Sequence, residues 1–358
     1  MTRDFSQFFS GSSSTDLNKR DPSFLESLGW SAYFSQQTSL DQLTQTPPVR
    51  VIEAHRTQLH VLGDGIDTLI PQLPDVVVGD WLLLDLETPT KSEPLDRKSL
   101  IKRRAPGTGR SIQLIAANVD TVFIVSSCNQ DFNLARLERY VALAFEAEVT
   151  PVILLTKSDL CVDPATFVQQ AQSISDQIVV LALNAKDADV ATQLADWRKP
   201  GQTLAFLGSS GVGKSTLVNA LTGENSAETG AIREDDAKGR HTTTRRQLHQ
   251  LPGGGMVLDT PGMRELQLTD ANQGVASVFA DLTELAHGCR FRDCAHDTEP
   301  GCAIQAALAA GEIDHARLQR WKKLVAEEAF NAKSMLERKA EARSLKKHIR
   351  AVQSTKRR

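Results

Sequence analysis

The 358-residue chain is 41% hydrophobic and 24% charged, with a formal net charge of −3 and 5% aromatic residues. That is the make-up of a globular protein whose cores rest on Val, Leu, Ile and Ala. No apolar run reaches the ~18 residues of a membrane span, and Met1-Thr2-Arg3-Asp4-Phe5 lacks the basic start and apolar stretch of a secretory signal. Five cysteines are an odd number for a disulfide framework, so a cytoplasmic address with no membrane attachment is expected.

Residues 1 to about 20 are polar and Ser-rich, and are expected to be disordered. A short amphipathic piece at 24–30 precedes Pro47-Pro48. Residues 49 to about 113 read as β-rich, with strands at 49–56 and 76–84 separated by Gly, Asp and Pro turns. Several short strands, together with the basic residues Arg97, Lys98, Lys102, Arg103, Arg104 and Arg110, fit a small barrel of the oligonucleotide-binding (OB) kind. Periodicity alone fits an anonymous β-domain equally well. From about 114, apolar strands (119–125, 152–155, 178–183, 204–207, 256–258) alternate with helical stretches such as 134–147, which predicts a parallel α/β sheet covered on both faces. Beyond Val275 the chain turns helical, is interrupted by a cysteine cluster, and ends in a long charged helix from about Asp314. Residues 333–358 carry ten Lys or Arg against Glu337 and Glu341. Such a run suits a phosphate backbone, although it is also an ordinary solvated face.

The strongest chemical signal is Gly208-Ser209-Ser210-Gly211-Val212-Gly213-Lys214-Ser215, a complete G-x-x-x-x-G-K-[ST] phosphate loop. It follows a predicted strand and opens a predicted helix at Thr216. Glycines let backbone N–H groups wrap phosphates without Cβ obstruction. Lys214 would neutralise the β- and γ-phosphates, and Ser215 would ligate Mg²⁺. A second element, Asp259-Thr260-Pro261-Gly262, follows the strand at 256–258. Asp259 can hold the Mg²⁺ shell, and Gly262 can offer its N–H to the γ-phosphate. Between the two lies Gly239-Arg240-His241-Thr242-Thr243-Thr244, whose threonines, Thr243 among them, can supply a second hydroxyl to Mg²⁺.

The base is read from Thr156-Lys157-Ser158-Asp159 and from Asn184-Ala185-Lys186, each after a predicted strand. The Asp159 carboxylate can accept from guanine N1–H and the exocyclic amine, a pair that adenine does not offer. The Lys157 stem can lie over the base, and the Asn184-Ala185 backbone can donate to the guanine carbonyl. Either segment alone is weak, and T-K-S-D is more often a helix cap. Two at strand ends in one α/β domain make guanine the expected base.

Cys289, Cys294, His296 and Cys302 lie within 14 residues. Three thiolates and an imidazole complete a closed tetrahedral Zn²⁺ site, which is structural because no position is left for water. Buried cysteines with an unrelated histidine are the bland alternative.

Taken together, these motifs resemble the circularly permuted GTPases, and more closely the bacterial family of ribosome small-subunit-dependent GTPase A, over residues from about 25 to 345. In most GTPases the phosphate loop comes first; here the base-reading motifs precede it. The resemblance implies His241 as the residue that positions the attacking water, because the position usually held by Gln is Met263. With Lys214 and Asp259, His241 completes the expected catalytic set. The resemblance agrees with zinc on the four residues above. It also implies a GTP/GDP cycle with Mg²⁺, stimulation by the small ribosomal subunit, a role in late maturation of that subunit, and contacts to its rRNA. Two departures stand out: Thr156 replaces the usual Asn and Asn184 the usual Ser, so weaker guanine affinity is expected. The resulting expectation is an N-terminal extension (1–48), an OB-like barrel (49–113), a circularly permuted GTPase domain (114–275) and a zinc-binding helical domain with a basic tail (276–358), as a monomer. An RNA-binding assembly protein that uses GTP only as a conformational clamp is the alternative, favoured by Met263. A metabolic P-loop kinase or ATPase is disfavoured by Asp159.

Overall fold

The computed structural model describes residues 22–104, 112–223, 246–259 and 271–332, without the side chains of Arg104, Asp259 and Ala332. Three short helices open the described chain: α1 (Phe24–Ser27), α2 (Ala32–Ser35) and α3 (Leu40–Gln45). Ser23 and Ser39 each start a helix through a capping box, with Glu26 and Gln42 at the third position returning the hydrogen bond. Strands β1 (Pro48–Ala54), β2 (Gln58–Gly63), β3 (Ile66–Pro71), β4 (Trp81–Leu83) and β5 (Glu93–Pro94) follow, and then the hairpin β6 (Leu100–Arg104)–β7 (Ile112–Ala117).

The predicted strand at 76–84 is shorter in the structure. The Asp80 carboxylate accepts from Val77 N at 2.8 Å while Asp80 N donates to Val77 O at 3.2 Å. That turn interrupts the strand, leaving Val78 as a single bridge to Ala116 and starting β4 only at Trp81. Strands β1 to β5 enclose their own core, which includes Val49, Val51, Leu59, Val61, Ile70 and Leu82. Among the described residues their pairings do not close into a ring: β3 ends the sheet, and β6–β7 forms a separate two-stranded sheet.

The α/β part contains β8 (Thr121–Ser127), α4 (Leu134–Glu146), β9 (Thr150–Thr156), α5 (Pro164–Gln172), β10 (Val179–Ala182), α6 (Val190–Gln193), β11 (Thr203–Gly208), α7 (Lys214–Thr222), β12 (Arg246–Gln250) and β13 (Met256–Asp259). The sheet runs β10-β9-β8-β11-β13-β12 and continues through β1-β2-β3. Strands β8, β9, β10, β11 and β13 are parallel, and β12 is antiparallel to β13. Alternate residues face opposite sides, as a two-sided sheet requires. Ile124, Ile153, Leu207 and Leu258 pack with Leu137 and Val141 of α4. Phe123, Leu154, Phe206 and Val257 pack with Leu217 and Leu221 of α7. The chain order is permuted relative to the sheet: β8, β9 and β10 come first in sequence but lie to one side of β11.

The boundary expected at 113/114 is crossed by hydrogen bonds. Glu53 of β1 is the Cα partner of Gln247, which in turn partners Asp259, so one line of residues spans β1, β12 and β13. Within the second part, Arg246 of β12 donates to Leu114 O of β7 at 2.9 Å. Arg50 is buried and donates to Leu28 O and, at 3.1 Å, to Asn118 O. Desolvation lowers its pKa to about 10, against the opposing charges of Asp120 and Asp80.

Four helices complete the described chain: α8 (Asn272–Val278), α9 (Ala280–His287), α10 (Ala303–Ala310) and α11 (His315–Ala332). Helix α11 docks on α4 through ion pairs. Arg320 Nε lies 2.9 Å from both oxygens of the buried Glu138, and Arg139 pairs with Glu327. Desolvation pushes the Glu138 carboxyl up, and Arg320 opposes it. Arg317 of α11 also pairs with Asp281 of α9, at 2.8 Å. Among the described residues no helix is long and apolar enough to cross a membrane.

Candidate functional site

The phosphate loop joins the end of β11 to α7 at the carboxyl edge of the parallel strands, where α/β sheets place their ligands. Gly208 sits so close to β8 that a Cβ there would lie 2.2 Å from Val125 O, with φ at +150°. Only glycine meets both demands. Gly213 starts α7 with φ +98° and without a side-chain cap. The first-turn N–H groups therefore remain available to an anion at the positive end of the helix. The Lys214 ammonium folds along the loop, donating to Gly208 O at 2.7 Å and to Ser209 O. Ser215 and Thr216 follow in the first turn, both half-buried, whereas Ser210 and Gly211 are exposed at the loop tip.

The segments expected to read the base converge on this loop. Thr156, the last residue of β9, is fully buried, and its hydroxyl lies 2.6 Å from Val212 O and 3.1 Å from Ser126 O. A hydroxyl carries one proton, and the shorter contact to Val212 ties the base segment to the phosphate loop. A Cβ on Gly213 would lie 3.7 Å from the Thr156 side chain and 3.8 Å from Ala185 Cβ. Three motifs separated in sequence thus meet at one point. Lys157 adopts φ +58°, and Ser158–Leu160 forms a 3-10 turn that leaves Asp159 exposed. Asn184 closes its own loop, accepting from Lys186 N at 3.0 Å and donating to Asp187 Oδ1 at 2.8 Å. Ala185 is buried beside it.

Asp259 ends β13 next to β11, which puts its backbone at the same sheet edge as Ser215. A hydroxyl and a carboxylate are the hard oxygen donors that Mg²⁺ prefers. His241, Thr243 and Gly262 lie outside the described residues, as do Arg110 and residues 333–358. The sequence reading missed the function of the Thr156 hydroxyl. The available signal was that threonine, like the usual asparagine, carries a donor at that strand end.

The second centre lies between α9 and α10. The ligand atoms of Cys289, Cys294, His296 and Cys302 all fall within 4.8 Å of one another. Cys289 Sγ is 3.5 Å from His296 Nδ1 and 3.9 Å from Cys302 Sγ, and Cys302 Sγ is 3.6 Å from His296 Nδ1. A tetrahedron with Zn–S of about 2.3 Å and Zn–N of about 2.0–2.1 Å has edges of about 3.5–3.8 Å, so the four groups fit Zn²⁺. Without a cation the thiols shift in opposite directions: Cys289 is lowered, its desolvation being outweighed by the Ala303 and Ile304 amides and the Cys302 and Cys294 thiols. Desolvation and the neighbouring Cys302 and Cys289 push Cys294 up to about 11.

Residues the motif did not flag hold this loop. Glu299 accepts from Ala295 N, Asp297 N and Thr298 N at 2.8–3.1 Å, and these amides bring its carboxyl down to about 2. Gln305 and Lys322 donate to His296 O at 2.7 and 3.0 Å, and Lys322 also reaches Asp297 at 2.6 Å. These contacts orient His296, which itself adopts φ +59°.

Known proteins share this arrangement. The chain is similar to the crystal structure of YjeQ from Thermotoga maritima, at 26% identity and a TM-score of 0.58 over 78% of this chain and 97% of that one. It is also similar to YloQ, described as a circularly permuted GTPase, at 22% identity and a TM-score of 0.55 over 81% and 97%. The protein therefore has the circularly permuted GTPase fold, with the mixed sheet described above. Within that class, the family model described as RsgA GTPase matches residues 94–269. The small ribosomal subunit biogenesis GTPase RsgA 2 of Vibrio parahaemolyticus is 49% identical over 336 residues, covering 93% of this chain and 94% of that one. The corresponding RsgA of Mesorhizobium japonicum is 51% identical over 315 residues, covering 86% and 90%. The chain belongs to the RsgA GTPase family and is a GTP hydrolase, which implies a guanine nucleotide and Mg²⁺.

Proposed function

We propose that this GTPase acts in the biogenesis of the small ribosomal subunit, binding in one nucleotide state and leaving in the other. The subunit stimulates its turnover, and its rRNA is the surface that the protein touches. The supporting observation is the direct joint between the base segment and the phosphate loop, Thr156 Oγ1 to Val212 O at 2.6 Å, in a chain that matches RsgA relatives along most of its length.

In this reading Asp159 accepts from the guanine edge, Lys157 covers the base, Ser158 shapes the turn, and the Asn184-Ala185 backbone meets the guanine carbonyl. The N–H groups of residues 209–216 surround the phosphates, and Lys214 and Gly262 face the γ-phosphate. Ser215, Thr243 and Asp259 would hold Mg²⁺, which when bound would supply positive charge to the phosphates. His241 orients the attacking water, since Met263 has no group to do so. Cys289, Cys294, His296 and Cys302 would hold one structural zinc, which would tie the C-terminal unit together. The strands of 49–113 act as an OB-like RNA-contacting unit, and the basic tail adds phosphate contacts. The protein works in the cytoplasm as a monomer.

The test is GTP turnover with and without purified small subunits, with large subunits and ATP as controls. Stimulation by small subunits alone is expected, and His241→Ala should abolish most of it while nucleotide affinity stays within about two-fold. Stimulated turnover unchanged in that variant would remove His241 from its role. Tight GTP binding without stimulated turnover would favour the alternative of a conformational clamp, to which Met263 points.

A further inference from the structure

The loop between the first two cysteines of the cluster exposes an aromatic ring flanked in sequence by two arginines. Its sequence is Cys289-Arg290-Phe291-Arg292-Asp293-Cys294. Phe291 is 43% exposed, and Arg290 and Arg292 are exposed on either side. The Arg290 guanidinium carbon lies 5.5 Å from the centroid of the Phe291 ring. The backbone that carries them is tied down: Arg290 N donates to Gly301 O at 3.0 Å, Cys289 N to Ala286 O at 3.2 Å and Cys294 N to Phe291 O at 3.4 Å. The ring is thus held in water by a braced loop, while Cys302, Ile304 and Leu318 form a small core nearby.

Charge narrows the choice of partner. Among the described residues neither Arg290 nor Arg292 forms an ion pair. The neighbouring acids are engaged elsewhere, since Glu299 accepts three backbone N–H groups and Asp297 pairs with Lys322. Only Asp293 offsets the two cations within the loop itself. An exposed ring flanked by cations matches an unpaired nucleotide, whose base offers a π-face and whose backbone offers phosphates. A duplex hides its base faces, and an apolar peptide has no use for two arginines.

We propose that Arg290, Phe291 and Arg292 form a docking tip for single-stranded RNA, with an unpaired base stacked on Phe291 and the flanking phosphates held by the two arginines. This rests on the reading of the protein as an rRNA-contacting GTPase and names the chemistry of one contact.

The experiment uses the full-length, zinc-loaded protein with a fluorescent single-stranded oligoribonucleotide and the same sequence as a duplex. Phe291→Leu should weaken single-strand binding about 10-fold, and Phe291→Trp should retain it within about two-fold. Arg290→Gln combined with Arg292→Gln should flatten the salt dependence of single-strand affinity by about one to two phosphate contacts. Zinc content of each variant reports on folding. The tryptophan variant gives an independent reading, because its added fluorescence should be quenched by the single strand and not by the duplex. Unchanged affinity in the leucine variant, or absence of that quenching, overturns the proposal. Equal loss in the leucine and tryptophan variants with zinc retained overturns it too, and indicates a shaped apolar contact with protein. Stimulation of wild-type turnover by small subunits is read separately: if it is missing, the ribosomal reading fails while the stacking result stands.

Discussion

The phosphate loop stands on the carboxyl edge of a sheet packed on both faces, whereas the Cys/His loop rests on a small core of Cys302, Ile304 and Leu318 with half-buried Leu285, Leu308, Ile313 and Trp321 against it. In the first region the backbone is placed by burial, and side chains are free to address a ligand. In the second the side chains must hold the backbone: four ligand groups, a carboxylate gripping three amides, and two donors on one carbonyl. A region with ample apolar area can give its polar groups to function. A region without it spends its polar groups on shape.

Removing the proposed zinc should break this contrast most visibly. A structural zinc contributes on the order of 10–16 kcal/mol in small domains, more than a unit with so little core can lose. Chelation, or Cys302→Ser, should unfold α10 and the cluster loop while GDP affinity stays within about two-fold. Hydrogen exchange of residues 289–310 alongside nucleotide titration checks it, and protection that survives the loss of zinc would show that the core suffices. The largest effect in the other region is expected for Gly208→Ala. The added methyl meets Val125 O, so β11 and β8 must part, at a cost of about 3–5 kcal/mol, measured by thermal unfolding. A shift below about 1 kcal/mol would mean that the close approach can relax.

Smaller changes sharpen the comparison. Thr156→Val keeps the shape and deletes the donor to Val212 O. It should cost about 1 kcal/mol, roughly a five-fold loss of affinity for GTP and GDP alike, read by fluorescence titration; selectivity over ATP should persist if, as proposed, Asp159 carries it. The smallest effect belongs to Glu299. Its folded carboxyl lies at about 2, below the ordinary 4.5. The stability it contributes is therefore present above pH 4.5 and is lost as pH falls from there through about 2. The stability gap between wild type and Glu299→Gln should be constant above pH 4.5 and narrow below it. A gap that widens in acid would contradict the amide grip.

Local chemistry was legible in the sequence wherever a motif sat on a strongly apolar strand. The strands at 152–155 and 204–207 appear as Thr150–Thr156 and Thr203–Gly208, and the helix at 134–147 as Leu134–Glu146. The four metal-ligand candidates could be read from spacing because they are near neighbours in the chain. Strands β2 and β12 were missed: His60, Arg246, Gln247 and His249 dilute their apolar character, and pairing makes them strands, β2 between its chain neighbours β1 and β3, and β12 between neighbouring β13 and distant β1. Glu138 and Arg320, 182 residues apart, look like ordinary solvated helix charges until the helices cross. The expectation of weaker guanine affinity rests on residue type at Thr156 and Asn184; what the type alone did not reveal is that the Thr156 hydroxyl lies 2.6 Å from Val212 O.

The pairing of β1 with β12 also bears on synthesis. Positions 53 and 247 are Cα partners, and translation at about 5–20 residues per second separates their emergence by roughly 10–40 seconds. For that interval β1 has an open edge on the side that β12 will occupy, and an unpaired edge invites pairing with another chain. Such non-local pairing is also slow to form. The nascent N-terminal strands must therefore wait for nearly the whole nucleotide-binding half before the sheet is continuous.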